Sequence, residues 1–177
     1  MSIPASPEPV TLVVAALLSP DISEEEALWP LLDRFGPVSD RLPFRPFTFS
    51  DYYNGEMGEG LLRGFWAFGN LVDPEFLAAA KVSTNAMEKG FAGEGGRKVN
   101  FDPGILSLTS FVLASGKPAA HRVYLSSCIW AEIEYLYRFK TFTPVEWTYP
   151  DYRDERVVGW FNGIRETLRQ RRKEAKC

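Results

Sequence analysis

Thr11–Ser19 reads TLVVAALLS, an uncharged run closed off by Pro9 and Pro20. Nothing in it alternates between polar and apolar, and it carries β-branched residues, so it reads as a buried central strand. It is too short to cross a bilayer as a helix. No basic segment precedes it and Glu8 stands just before it, which argues against a secretory signal.

On either side of this strand the elements fall into a recognisable order. Residues 1–9 carry three prolines and no periodicity, so a disordered lead-in is expected. Downstream, Ser23 and Glu26 form a capping-box signature before the stripe Ala27, Leu28, Leu31, Leu32 and Phe35, which Gly36 ends. Pro30 falls inside that stripe at a cost of about 3 kcal/mol, so the helix is expected to kink or start late. Arg41–Phe49 reads as an irregular strand with prolines that forbid a central position, and Leu61–Val72 as another strand. Asp73-Pro74-Glu75 opens a helix with apolar residues Phe76, Leu77, Ala80, Met87 and Phe91. Lys98–Phe101 reads as a short strand, followed by a type II turn at Asp102-Pro103-Gly104-Ile105. Ser107 is placed to cap a short helix through Leu113, and His121–Leu125 with Ile129–Phe139 reads as a hairpin. Asp154 caps a last helix with the stripe Val157, Phe161, Ile164 and Leu168. The order β-α-β-β-α-β is the ferredoxin-like pattern, so the expected fold is α+β: that core, an added β-hairpin and a C-terminal helix. A small α/β sandwich with another strand order fits the same elements. The chain divides into a lead-in at 1–9, one α+β domain over 10–168 and a basic tail at 169–177.

The 177 residues include 20 Lys+Arg against 23 Asp+Glu, a net charge of −3, which argues against a surface built throughout for nucleic acid. Residues 1–60 hold ten acidic and three basic side chains, whereas 61–177 hold 13 acidic and 17 basic. Much of that basic excess is Arg165, Arg169, Arg171, Arg172, Lys173 and Lys176, read as a solvated helix end that could also meet RNA or an acidic protein. Cys128 and Cys177 are too few for a disulfide framework. A soluble, cytoplasmic protein with no membrane partner is expected.

Known chemistries are tested against particular residues. A P-loop needs glycines ending in Gly-Lys-Ser/Thr, but the one Gly-Lys pair, Gly116-Lys117, is followed by Pro118. Gly93-Glu94-Gly95-Gly96 leads into a strand rather than out of one, so it lacks a Rossmann context. One His and two distant Cys cannot fill a tetrahedral zinc site. Magnesium needs only one or two acids plus phosphate oxygens, which makes Asp51, Glu56, Asp102 and Asp151 its candidate ligands. The densest polar cluster runs from Asn100 through Asp102, Lys117, His121 and Arg122 to Tyr124. Lys117 and Arg122 suit an anionic group, with Tyr124 beside them; His121 suits proton transfer, with Asp102 orienting it or holding a metal. Two readings stay open, a site or a structural network in which Asp102 bonds its turn amides and Arg122 pairs with Glu132 across the hairpin.

Asp51-Tyr52-Tyr53 with Glu56-Met57-Gly58, the Asn100-x-Asp102-Pro103-Gly104 segment, Ala114-Ser115-x-Lys117, His121-Arg122-x-Tyr124-Leu125 and Trp147–Tyr152 together resemble a bacterial family of unknown function, DUF4416. The resemblance runs from about Thr11 to the last helix. Some members carry the label of GTP-binding protein, and no P-loop in this chain supports it. The first expected function is a small domain binding, and processing, a phosphorylated or nucleotide-like anion, with Asp102, Lys117, His121 and Arg122 around one cleft. Asp51, Tyr52, Tyr53 and Glu56 would form its other wall. The second is a non-catalytic module whose basic C-terminal helix meets RNA or an acidic surface.

Overall fold

The structure, a computed structural model, describes residues 3–93 and 96–175. Met1-Ser2 of the lead-in, Glu94-Gly95 of the glycine run and Lys176-Cys177 of the tail lie outside the described residues. In chain order the elements are β1 (Val10–Leu18), α1 (Glu24–Phe35), β2 (Val38–Pro46), α2 (Asn54–Met57), β3 (Leu62–Val72), α3 (Phe76–Gly90) and β4 (Val99–Leu106). There follow β5 (Ser110–Ser115), β6 (Val123–Ser126), β7 (Ile129–Arg138), β8 (Thr141–Pro144), a 3-10 turn at Pro150–Arg153 and α4 (Glu155–Glu174). It is an α+β protein. Eight strands form one antiparallel sheet in the order β2-β3-β1-β4-β5-β7-β6, with β8 also on β7.

β1 is buried along its whole length between β3 and β4. Val13 and Ala15 point into a cluster with Phe65, Phe111 and the α4 residues Phe161 and Leu168. Leu12, Val14, Ala16 and Leu18 point the other way, into Leu28, Leu31 and Phe35 of α1 and Ala80 of α3. With helices over both faces, every position of the strand is a core position, which is why TLVVAALLS shows no alternation.

Several local expectations are corrected. The Ser23–Glu26 capping box forms, with Ser23 N–H donating to Glu26 Oε2 at 2.9 Å and Glu26 N–H to Ser23 Oγ at 3.2 Å. The helix therefore starts at Glu24, not late, and Pro30 sits inside it, leaving the Glu26 carbonyl without its i+4 donor. Ser107 caps no helix; its Oγ accepts from the N–H groups of Thr109 (3.1 Å) and Ser110 (2.9 Å) and turns the chain into β5. Asp102–Ile105 is no turn but the second half of β4, opposite Leu12–Ala15 of β1. Gly104 is required there by packing, because a Cβ would lie 2.3 Å from the Phe111 ring. Pro103 has no N–H to offer a second neighbour, and pairing with β5 covers only Gly104–Leu106. Before that point β4 and β5 part. The hairpin of β6 and β7 closes through Ser127 and Cys128, both at positive φ (52° and 60°), as a two-residue primed turn demands.

The basic tail is not a loose end. Arg165 Nε donates to Leu108 O at 2.7 Å and Arg171 Nη1 to Gly69 O at 2.8 Å; Arg172 donates to Pro9 O, and Arg169 pairs with Glu166. Truncation after Gln170, which removes Arg171 and Arg172, is accordingly expected to cost about 1–3 kcal/mol. Urea unfolding measures it, and an unchanged midpoint would show that these contacts add nothing. Among the described residues no helix is long and apolar enough to cross a membrane.

Candidate functional site

The parting of β4 from β5 opens a cleft of about 650 Å3, within the range of small-ligand sites. Asn100 and Asp102 line it from β4, Leu113–Ser115 from β5, and Lys81 and Asn85 from α3. The segment after β2 supplies Phe47, Phe49, Tyr52 and Tyr53, and the 3-10 turn supplies Asp151 and Tyr152.

Its floor is Arg63, at the start of β3 and 8% exposed. Nε lies 2.9 Å from Asp151 Oδ2, and Nη1 lies 3.7 Å from Asp102 Oδ2. The charges are balanced, but neither contact has hydrogen-bond direction: among the described residues the buried Arg63 Nε and Nη1 and Asp151 Oδ2 have no hydrogen-bond partner. Burial works against the guanidinium's charge, yet Asp151 first, then Tyr152 and Asp102, raise its pKa above the ordinary value. Tyr152 is 1% exposed, and among the described residues its hydroxyl has no hydrogen-bond partner either. Burial above all raises the Tyr152 and Tyr53 pKa values, so both phenols remain protonated donors. Asp102 accepts from Lys81 Nζ at 3.2 Å and from Asn100 Nδ2 at 2.6 Å. Burial pushes its pKa up, but the Lys81 and Arg63 charges and those hydrogen bonds outweigh it and hold the carboxyl below the usual range.

Of the residues expected in a site, Asp102, Lys117, Arg122, Tyr52 and Tyr53 line this cleft. His121 does not. Its Nε2 is 2.8 Å from Glu132 Oε2 and its ring stacks on Trp147 at 4.9 Å, behind the wall. Arg122 is committed to the fold as the network reading had it: it donates to Glu132 Oε1 (2.9 Å), Tyr149 OH (2.9 Å), Ser115 Oγ (2.7 Å) and Lys117 O (2.8 Å). Asp102, read as bonding turn amides, is instead paired across the sheet's face. Tyr124 lies on β6 against Trp130, outside the cleft lining, because β6 forms the far edge of the sheet. Asp51 accepts from Asn54 Nδ2 at 3.2 Å, and Glu56 is clamped by Arg97 at 2.9 and 3.0 Å; neither lines the cleft. Of the four acids expected around magnesium, Asp102 and Asp151 line the cleft and are both paired with Arg63, whereas Asp51 and Glu56 lie outside its lining; among the described residues no three of His, Cys, Asp or Glu form a metal-binding group.

Arg63 and Lys81 line the cleft without being expected there, and Asp151, expected as a magnesium ligand, is ion-paired with Arg63. The signal was present as charge in apolar surroundings: Arg63 in LLRGFW and Lys81 in FLAAAKV. Burying such a charge demands a partner, so an isolated cation in a core element marks a polar site nearby.

No curated protein and no solved structure matches the chain. The model of one family, Domain of unknown function (DUF4416), matches residues 8–168, and with this cleft inside the matched region the chain belongs to that family.

Proposed function

We propose that the cleft binds a small ligand in which an anionic group is joined to a planar part, a phosphorylated or nucleotide-like molecule. The distribution of unspent charge carries this reading. Lys81, Arg97 and Arg122 are each hydrogen-bonded to carboxylates and Arg63 is ion-paired with Asp151 at 2.9 Å, whereas among the described residues Lys117 Nζ donates only to Tyr52 OH, at 2.9 Å. One cation at the cleft, Lys117, is therefore available to an anionic group. Phe47, Phe49, Tyr52 and Tyr53 line the same cleft with ring centroids 5.1–6.3 Å apart, a surface suited to a flat ring. The basic helix is the weaker reading, since Arg165, Arg169, Arg171 and Arg172 already have partners in the fold. On topology, we read β2-β3-β1-β4 with α1 and α3 as a ferredoxin-like core to which β5–β8 and α4 are added.

Calorimetry against GTP, ATP, ribose 5-phosphate and inorganic phosphate tests the reading. Without a phosphate-cradling loop, affinity is expected to be modest and to fall with salt. Lys117→Ala weakens a phosphorylated ligand by about 1–3 kcal/mol and leaves the melting temperature unchanged, because Lys117 is exposed. Arg122→Ala instead destabilises the fold by about 3–5 kcal/mol, because it takes the guanidinium from the buried Glu132 carboxylate and leaves it the His121 contact alone among the described residues. Failure of every anion to bind the native chain would overturn the proposal.

A further inference from the structure

Resting on that reading, we infer that the anionic group is a phosphoryl group clamped from both walls of the cleft at once: Tyr52 donates its phenolic proton to one oxygen and Lys117 an ammonium proton to another. The two donors already stand together. Lys117 Nζ donates to Tyr52 OH at 2.9 Å, so the phenol accepts there and keeps its own proton to give, and the ammonium keeps two. Both side chains line the cleft and both are exposed, Tyr52 at 69%, so a ligand reaches them without parting any buried contact. Two donors at that separation suit two oxygens carried on one atom, as on a phosphoryl group, whose third oxygen stays in water at the open mouth. No carboxylate stands in the way. Among the described residues Lys117 has no acidic partner, and Glu56, the acid whose charge reaches Tyr52, is clamped by Arg97 at 2.9 and 3.0 Å.

Both stretches of chain that carry the pair are pinned. Tyr52 N–H donates to Ser50 Oγ at 3.1 Å and its ring packs edge to face on Tyr53 at 5.1 Å. Farther along, Met57 anchors the same segment in a buried cluster with Leu17 and Leu61. On the opposite wall, Lys117 N–H donates to Ser115 Oγ at 3.2 Å, and its carbonyl accepts from Arg122 Nη1 at 2.8 Å. That guanidinium is itself fixed on Glu132. The donors are thus held near their bound positions before a ligand arrives, which spares part of the ordering cost that makes exposed lysine contacts weak. The hydrogen bond from Lys117 also draws the Tyr52 phenol below its ordinary pKa, and a hydroxyl polarised in this way is the stronger donor to an anion.

NMR titration of the intact chain, which follows weak as well as tight binding, tests the clamp with GTP, ATP, ribose 5-phosphate, inorganic phosphate and acetate. Tyr52→Phe keeps the ring against Tyr53 and removes only the hydroxyl. It is expected to weaken each phosphate-bearing probe about tenfold and to leave the melting temperature unchanged. In a Lys117→Ala background the same substitution should still weaken them several-fold, because the phenol touches the phosphoryl group itself. Acetate, with less charge for the ammonium, should bind more weakly than inorganic phosphate. If Tyr52→Phe had no effect, or had one only while Lys117 was present, Tyr52 would do no more than hold Lys117 in place; the clamp would be overturned and the proposed function would stand. If acetate matched phosphate, the phosphoryl assignment would be overturned in the same way. If no probe bound the native chain, the clamp and the proposed function would fall together.

Discussion

Arg63→Ala is expected to lower the unfolding free energy by about 3–5 kcal/mol at neutral pH. Among the described residues Arg63 is the one cation against Asp151, whose side chain is 5% exposed, and it shares Asp102 with Lys81. Removing it leaves a carboxylate sealed in the fold with no opposite charge, a cost far above that of an exposed pair. The loss should shrink when Asp151 is neutralised, so Arg63→Ala in an Asp151→Asn background is expected to cost much less than in the native chain. Urea unfolding of the native protein, the two single variants and the double variant measures that coupling directly. Equal costs in both backgrounds would mean that the 2.9 Å contact contributes packing and no charge balance.

The same residues explain what could be read in the sequence. Strands and helices defined by long apolar patterns were legible: TLVVAALLS as a central strand, the Ser23–Glu26 cap, the Val157–Leu168 stripe. Misreadings cluster where local preference yields to a distant contact. Pro103-Gly104 carries the residues of a turn, yet it is a strand because β1 pairs with it and the Phe111 ring takes the space of a Cβ. The turn between β7 and β8 uses Phe139 and Lys140 at φ 51° and 66°, residues with no sequence preference for that conformation, so β8 was not foreseen. The cleft follows from the first of these misreadings. Once Asp102-Pro103 is extended, β4 and β5 separate and the gap needs a floor, which Arg63, Asp151 and Tyr152 supply from segments far apart in the chain. Nearness in sequence favoured the group from Asn100 to Tyr124 instead. It holds true contacts, but its His121 and Arg122 serve Glu132 and only Lys117 has an unspent charge.

Glu134→Gln is expected to make the protein more stable above neutrality, by on the order of 5 kcal/mol at pH 8.5. Glu134 is fully buried on β7; Oε2 accepts from Tyr149 N–H at 3.2 Å and Oε1 has no hydrogen-bond partner among the described residues. Burial first, and then the neighbouring Glu132 charge, push its pKa from 4.5 up to about 8. The folded chain therefore holds a proton that the unfolded chain releases above pH 4.5. Folding takes up that proton throughout the window from 4.5 to 8, so stability falls as pH rises across it and levels off above 8. Glutamine keeps the acceptor for Tyr149 but has no proton to lose. The two proteins should thus be nearly equally stable near pH 4.5, diverge steadily through neutrality, and differ by a constant amount above pH 8. Urea unfolding of both at pH 5, 6, 7, 8 and 9 gives the difference curve, from which titrations common to both proteins cancel. A difference independent of pH would show that Glu134 is already ionised in the fold, and that Tyr149 is held against a charge instead of a neutral carboxyl.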